Sequence, residues 1–147
     1  MYETIKVLHS GWAYLVLFML VLATFNALIK FFGKKEFQPM DFRISLFTLI
    51  VSHIMFLIGI ALFFAADYIS IISDLGMGEV MKSKALRSNI IEHPTTMIAA
   101  LVFITIGYSK HKKKLTSTPK FKMLAIFYTI ALILVLAKIP WKVWFNI

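Results

Sequence analysis

The chain contains no cysteine. That absence excludes a disulfide framework, a thiolate zinc site, an iron–sulfur cluster and covalent c-type haem attachment, which needs C-x-x-C-H. Charge is also scarce. Charged residues make up 16% of the 147 positions, against about 25% in an ordinary soluble domain. Acid is scarcer still, with 7 Asp and Glu facing 16 Lys and Arg, for a net charge of +9. No Walker, Rossmann or zincin pattern occurs, and no nucleophile–base pair stands at an informative spacing. With cysteine missing, histidine is the strong soft-metal ligand that remains.

What is present is apolar. Hydrophobic residues form 60% of the chain and mean hydropathy is +0.83. The hydrocarbon core of a bilayer is about 30 Å thick and a helix rises about 1.5 Å per residue, so runs of about 20 apolar residues read as membrane spans. Four such runs occur, and little sequence is left for a soluble domain. The expected fold is all-α: one integral membrane four-helix bundle covering residues 1–147.

The helices are expected at Leu8–Phe32, Phe42–Ala66, Asn89–Ser109 and Phe121–Ile139. Gly33-Lys34-Lys35 with Pro39 beyond stops the first, Asp41 is a candidate N-cap for the second, and Pro140 stops the fourth. Pro94 near the start of the third is tolerated there or makes a local kink. Between the second and third helices, Asp67 to Ser88 is broken at Gly76 and Gly78, and MKSKALRS reads as a short interfacial helix. Trp141 and Trp144 in the tail read as interfacial belt residues. The N-terminal apolar region is too long for a signal peptide, and Glu3 offsets Lys6, so an uncleaved first helix is expected.

In a soluble protein a charge of +9 would point to nucleic acid. Here the excess sits in short loops, where it sets topology, and no nucleic-acid partner is expected. Lys30, Lys34, Lys35 and Arg43 flank the first loop, and Lys110, Lys112, Lys113, Lys114, Lys120 and Lys122 flank the third: 10 of the 16 basic residues. The middle loop balances Lys82, Lys84 and Arg87 against Asp67, Asp74 and Glu79. The positive-inside rule then places both termini and the middle loop on the non-cytoplasmic side. The Lys-rich run after His111 reads as a topology signal, with contact to anionic lipid or a partner as the other reading.

Three histidines lie within or at the edge of these apolar stretches, where an ionisable or metal-binding side chain is a functional hypothesis by default. His53 is near mid-membrane. Ser45, Ser52 and Gly59 recur every seven residues beside it, so His53 is expected to face the bundle interior, either as a ligand or hydrogen-bonded to a neighbouring serine or carbonyl. His93 precedes Pro94 in the outer half of its helix, and Thr96 and Ala100 leave room on its face for a flat macrocycle. His9 sits at the outer edge of the first helix beside Trp12 and Tyr14. Glu92 has three readings: orienting a histidine, moving a proton, or pairing with Lys138. His111, within the basic loop, is expected to be solvated. Asn26 is explained by an interhelical hydrogen bond.

Haem b in a four-helix bundle is held by neutral imidazoles from facing helices. Taking inner boundaries near Lys30, Phe42 and Ser109, His53 stands about 17 Å up, His93 about 24 Å and His9 about 32 Å. His53 with His93 and His9 with His93 are both open as ligand pairs, whereas His53 with His9 is disfavoured. Propionates seek cations and interfacial donors, and Arg87, Lys138 and Trp141 lie on the matching side.

The segments HSGWAYLVL, KKEFQPMDFRISLFTLIVSHIMFLIGIALFF, IEHPTTMIAALVFITIGYSKHKKK and ALILVLAKIPW resemble small four-helix membrane proteins of Bacteroidota that carry the label cytochrome B. The resemblance covers nearly the whole chain and includes His9, His53 and His93. It implies haem b, electron transfer with a membrane redox partner or quinol, and an inner-membrane location. A weaker similarity links S-H-I-x-x-L-I-G to ligand-bearing helices of haem A synthase halves. The leading expectation is therefore a small b-type cytochrome-like protein. A cofactor-free structural subunit and a proton or small-solute pathway through Glu92 and His93 are the alternatives.

Overall fold

The computed structural model describes residues 1–145. Its elements are α1 (Tyr2–Phe32), α2 (Pro39–Ala65), α3 (Tyr68–Leu75), α4 (Met77–Lys82), α5 (Lys84–Leu86), a π-helical segment (Arg87–Glu92), α6 (His93–Lys113), α7 (Ser117–Lys138) and α8 (Trp141–Phe145). No strand occurs among the described residues. Four helical spans are long and apolar enough to cross a membrane: α1, α2, the stretch Lys84–Lys113, and α7.

The long helices overrun their expected ends. The third continues to Lys113 instead of Ser109, because Lys110, His111, Lys112 and Lys113 are cations in its last turn, where the helix dipole favours them. The second begins at Pro39, with Gln38 as N-cap. Asp41 is therefore not the N-cap expected of it; it stands at the third helical position, where its Oδ2 accepts the Gln38 N–H at 2.8 Å. Proline at the start of α2 sacrifices an N–H that has no helical acceptor anyway. In the middle loop Gly76 takes φ +83° and ends α3, while Gly78 lies inside α4.

Around the bundle the order is α1, α2, α6, α7, with α7 closing back on α1. The α6–α7 seam is the most extensive and the α2–α6 seam the thinnest; α1 and α6 occupy opposite corners. Gly107 sets the α6–α7 approach. A Cβ there would lie 2.6 Å from Phe127 Cβ and 3.3 Å from Tyr128 Cδ1, so only glycine admits this packing. Leu20, Ala23 and Ala27 of α1 join Ala100 and Ile104 of α6 and Phe121, Leu124, Tyr128 and Leu132 of α7 in the main core. Val16, Met19 and Val51 form a second cluster between α1 and α2.

Burial is concentrated in one half. In the long helices the buried residues fall within 16–27, 41–52, 100–111 and 121–132, and beyond them only Val80, Ile90 and Ile139 are buried among the described residues. That half ends at the two basic loops. Several of its polar groups pair internally. Tyr128 Oη donates to Ser45 O at 3.0 Å. Thr48 Oγ1 donates to Ile44 O at 2.8 Å, with Met19 O at 3.2 Å. The carboxylate of Asp41, fully buried, accepts from Lys30 Nζ at 2.7 Å and Asn26 Nδ2 at 2.9 Å. Asn26 thus makes the interhelical bond expected of it. The opposite, histidine-bearing half has no comparable core.

Candidate functional site at the histidine end

The site begins with a defect in a helix. Over Arg87–Glu92 the backbone winds as a π-helix, and His93 N–H reaches back to Ser88 O, five residues earlier. Pro94 has no N–H to offer the preceding turn, and wide turns of this kind recur at functional sites. Glu92 ends this wide turn and His93 begins α6.

His93 is half-buried. Its Nδ1 lies 3.0 Å from Lys138 O. A carbonyl only accepts, so Nδ1 carries the hydrogen and, in the neutral ring, Nε2 keeps its lone pair. Lys138 ends α7, and its carbonyl is one of the four that a helix C-terminus leaves without an intrahelical donor. The bond therefore completes α7 and fixes the His93 ring at once.

His9 reaches toward the same place from α1. Its ring centroid is 6.3 Å from that of His93, with the planes inclined by 57°. Its Nε2 faces Gly59 of α2, where an added Cβ would stand 4.0 Å away. Of the two pairs open from sequence, the fold brings His9 and His93 together. The imidazoles come from opposite corners of the bundle, with a glycine on a third helix leaving space beside them.

Glu92 joins two cations. Its Oε2 accepts from Arg87 Nε at 2.8 Å and its Oε1 from Lys138 Nζ at 2.9 Å. Of its three readings, pairing with Lys138 is the one realised here. Arg87 also donates through Nη1 to Met81 O at 2.8 Å, tying α4 to the site. Arg87, Lys138 and Glu92 together carry a net single positive charge. Trp141 Nε1 donates to Leu136 O at 2.9 Å, and Trp144 stacks on Tyr14 of α1 with centroids 4.3 Å apart. The tail therefore folds back over the same end of the bundle.

Two histidines depart from expectation. His53 is exposed and does not face the bundle interior; its Nδ1 donates to Leu49 O of its own helix at 2.9 Å. The buried stripe of α2 is Asp41, Ser45, Thr48 and Ser52, and residue 53 is rotated about 100° from Ser52. His53 shares its helix side with Phe42, which packs on Tyr108 and His111 of α6. Higher up, the thin α2–α6 seam no longer covers that side. His111, expected in solvent, is fully buried. Phe37, Phe42 and Tyr108 surround its ring, and its Nδ1 donates to Tyr108 O. The spacing Ala100, Ile104, Gly107, His111 continues the inward face of α6 and is the signal that finds it.

Among the described residues no three His, Asp or Glu side chains converge on a point that could hold a metal ion. Two imidazoles are too few for a protein-bound zinc, which takes three or four protein ligands. Two would be enough for a cofactor that brings nitrogen ligands of its own. The ring centroids of His9 and His93 are 6.3 Å apart, His93 uses Nδ1 for the bond to Lys138 O, and this half of the bundle lacks a packed core.

The fold and site define an all-helical chain with four potential membrane spans and a paired-histidine site. None of the family profiles, curated proteins and solved structures compared with the chain matches it.

Proposed function

We propose that this chain is a small b-type cytochrome-like inner-membrane protein that holds one haem b between His9 and His93 and exchanges electrons with a membrane partner or quinol. The observation that carries this reading is the approach of those two rings from opposite corners, 6.3 Å apart. Haem, when bound, supplies reversible one-electron chemistry.

The residues around it have separable tasks. His93 is oriented by the Lys138 carbonyl, which accepts from Nδ1 and so also raises the basicity of Nε2. Gly59 leaves room beside His9. Glu92 neutralises part of the Arg87 and Lys138 charge and fixes both side chains, and the remaining single positive charge suits a propionate edge. Trp141 lies on the same side. The basic loops set the orientation, with both termini and the histidine end on the non-cytoplasmic face.

One observation favours a second reading. The His93–Lys138 bond is itself an interhelical contact, as a cofactor-free structural subunit would use. The two readings separate on a reduced-minus-oxidised absorbance spectrum of detergent-purified protein expressed with ample haem. A sharp α-band with a shifted Soret peak supports the cytochrome. A flat spectrum from folded, haem-replete protein supports the structural subunit.

A further inference from the structure

We infer that the groove between α1 and α7 at the basic end is a binding site for an anionic phospholipid. The groove is a shallow, open depression of about 310 Å³, and its walls are Leu28, Phe31 and Phe32 of α1 and Ala125 and Ile126 of α7. Those walls offer an acyl chain an apolar seat.

One further feature distinguishes it from ordinary lipid-facing surface. Lys122, an exposed residue, lies on its lining, within the second turn of α7, close to where the helices meet the basic loops.

Charge selects the headgroup. From Lys30 to Arg43 and from Lys110 to Lys122, ten basic residues face two acids, Glu36 and Asp41, giving this end +8 of the net +9. The acid at Asp41 is already committed to Lys30 and Asn26. A cation on the rim of an apolar groove, set in a positive field, fits a phosphate attached to a fatty chain.

Native mass spectrometry of the detergent-purified protein tests the site, with dioleoylphosphatidylglycerol and dioleoylphosphatidylcholine as probes. The wild type is expected to retain one phosphatidylglycerol in preference to phosphatidylcholine. Lys122→Ala lowers that retention about fivefold, the effect of one lysine near an anionic surface, and leaves phosphatidylcholine unchanged. Ile126→Trp, on a side chain 41% exposed and so outside the core, lowers retention of both. Lys113→Ala, at the same end but off the groove, changes either by less than twofold. Equal losses for Lys122→Ala and Lys113→Ala would reduce the effect to diffuse charge and overturn the site. So would undiminished retention by Ile126→Trp, or no preference in the wild type.

Discussion

His9 and His93 meet with ring centroids 6.3 Å apart although their helices sit at opposite corners of the bundle. The half of the bundle that contains them lacks a packed core, and a π-helical turn leads directly into His93.

The space beside His9 depends on Gly59. An alanine Cβ there would sit 4.0 Å from Nε2, an ordinary van der Waals distance. Gly59→Ala is therefore expected to retain haem. Gly59→Phe puts a ring into the space and is expected to abolish haem retention while leaving the melting temperature of the apoprotein unchanged. Haem content per protein and a thermal melt in detergent check both variants. Full haem content in Gly59→Phe would remove Gly59 from the site.

At the other end, the Lys30–Asp41 pair is the charge interaction with energetic weight. Asp41 is fully buried and Lys30 partly so. Lys30→Met leaves a buried carboxylate without its cation, a change worth about 3–5 kcal/mol. Lys82→Ala breaks an exposed pair with Glu79 at 3.6 Å, where about 0–1 kcal/mol is at stake. Unfolding in a denaturing detergent titration should separate the two variants clearly.

Gly107 offers a test of packing. An added Cβ meets Phe127 Cβ at 2.6 Å, which is side-chain base and not a flexible tip. Gly107→Val must push α6 and α7 apart along their most extensive seam, and overpacking of this kind costs about 1–3 kcal/mol or more. The expected result is a lowered melting temperature. An unchanged melt would mean that the seam is looser than described.

Much of this architecture is written in the sequence, because membrane spans require only length and apolarity, and hydropathy reports both. The positions of Lys, Gly and Pro marked the loops. The overrun of α6 to Lys113 is hard to read from sequence because a run of lysines reads as loop, yet at a helix C-terminus the same charges are favourable. The sequence offers three candidate histidines, and which of them come together is decided by tertiary geometry. His53 adjoins a stripe of small residues, and a rotation of about 100° per residue is enough to carry it from the interior to the exposed side. The charge of its neighbours points His111 to solvent, whereas its spacing from Ile104 and Gly107 carries the contrary signal. The bond from His93 to Lys138 O involves a backbone carbonyl at a helix end, and no residue identity announces it.

The most direct test of the central claim is the reduced-minus-oxidised spectrum of haem-replete His9→Ala, His93→Ala and His53→Ala variants beside the wild type. A haem held between His9 and His93 predicts that the first two lose the low-spin α-band and that His53→Ala keeps it. An intact band in either His9→Ala or His93→Ala, or its loss in His53→Ala alone, would contradict the account.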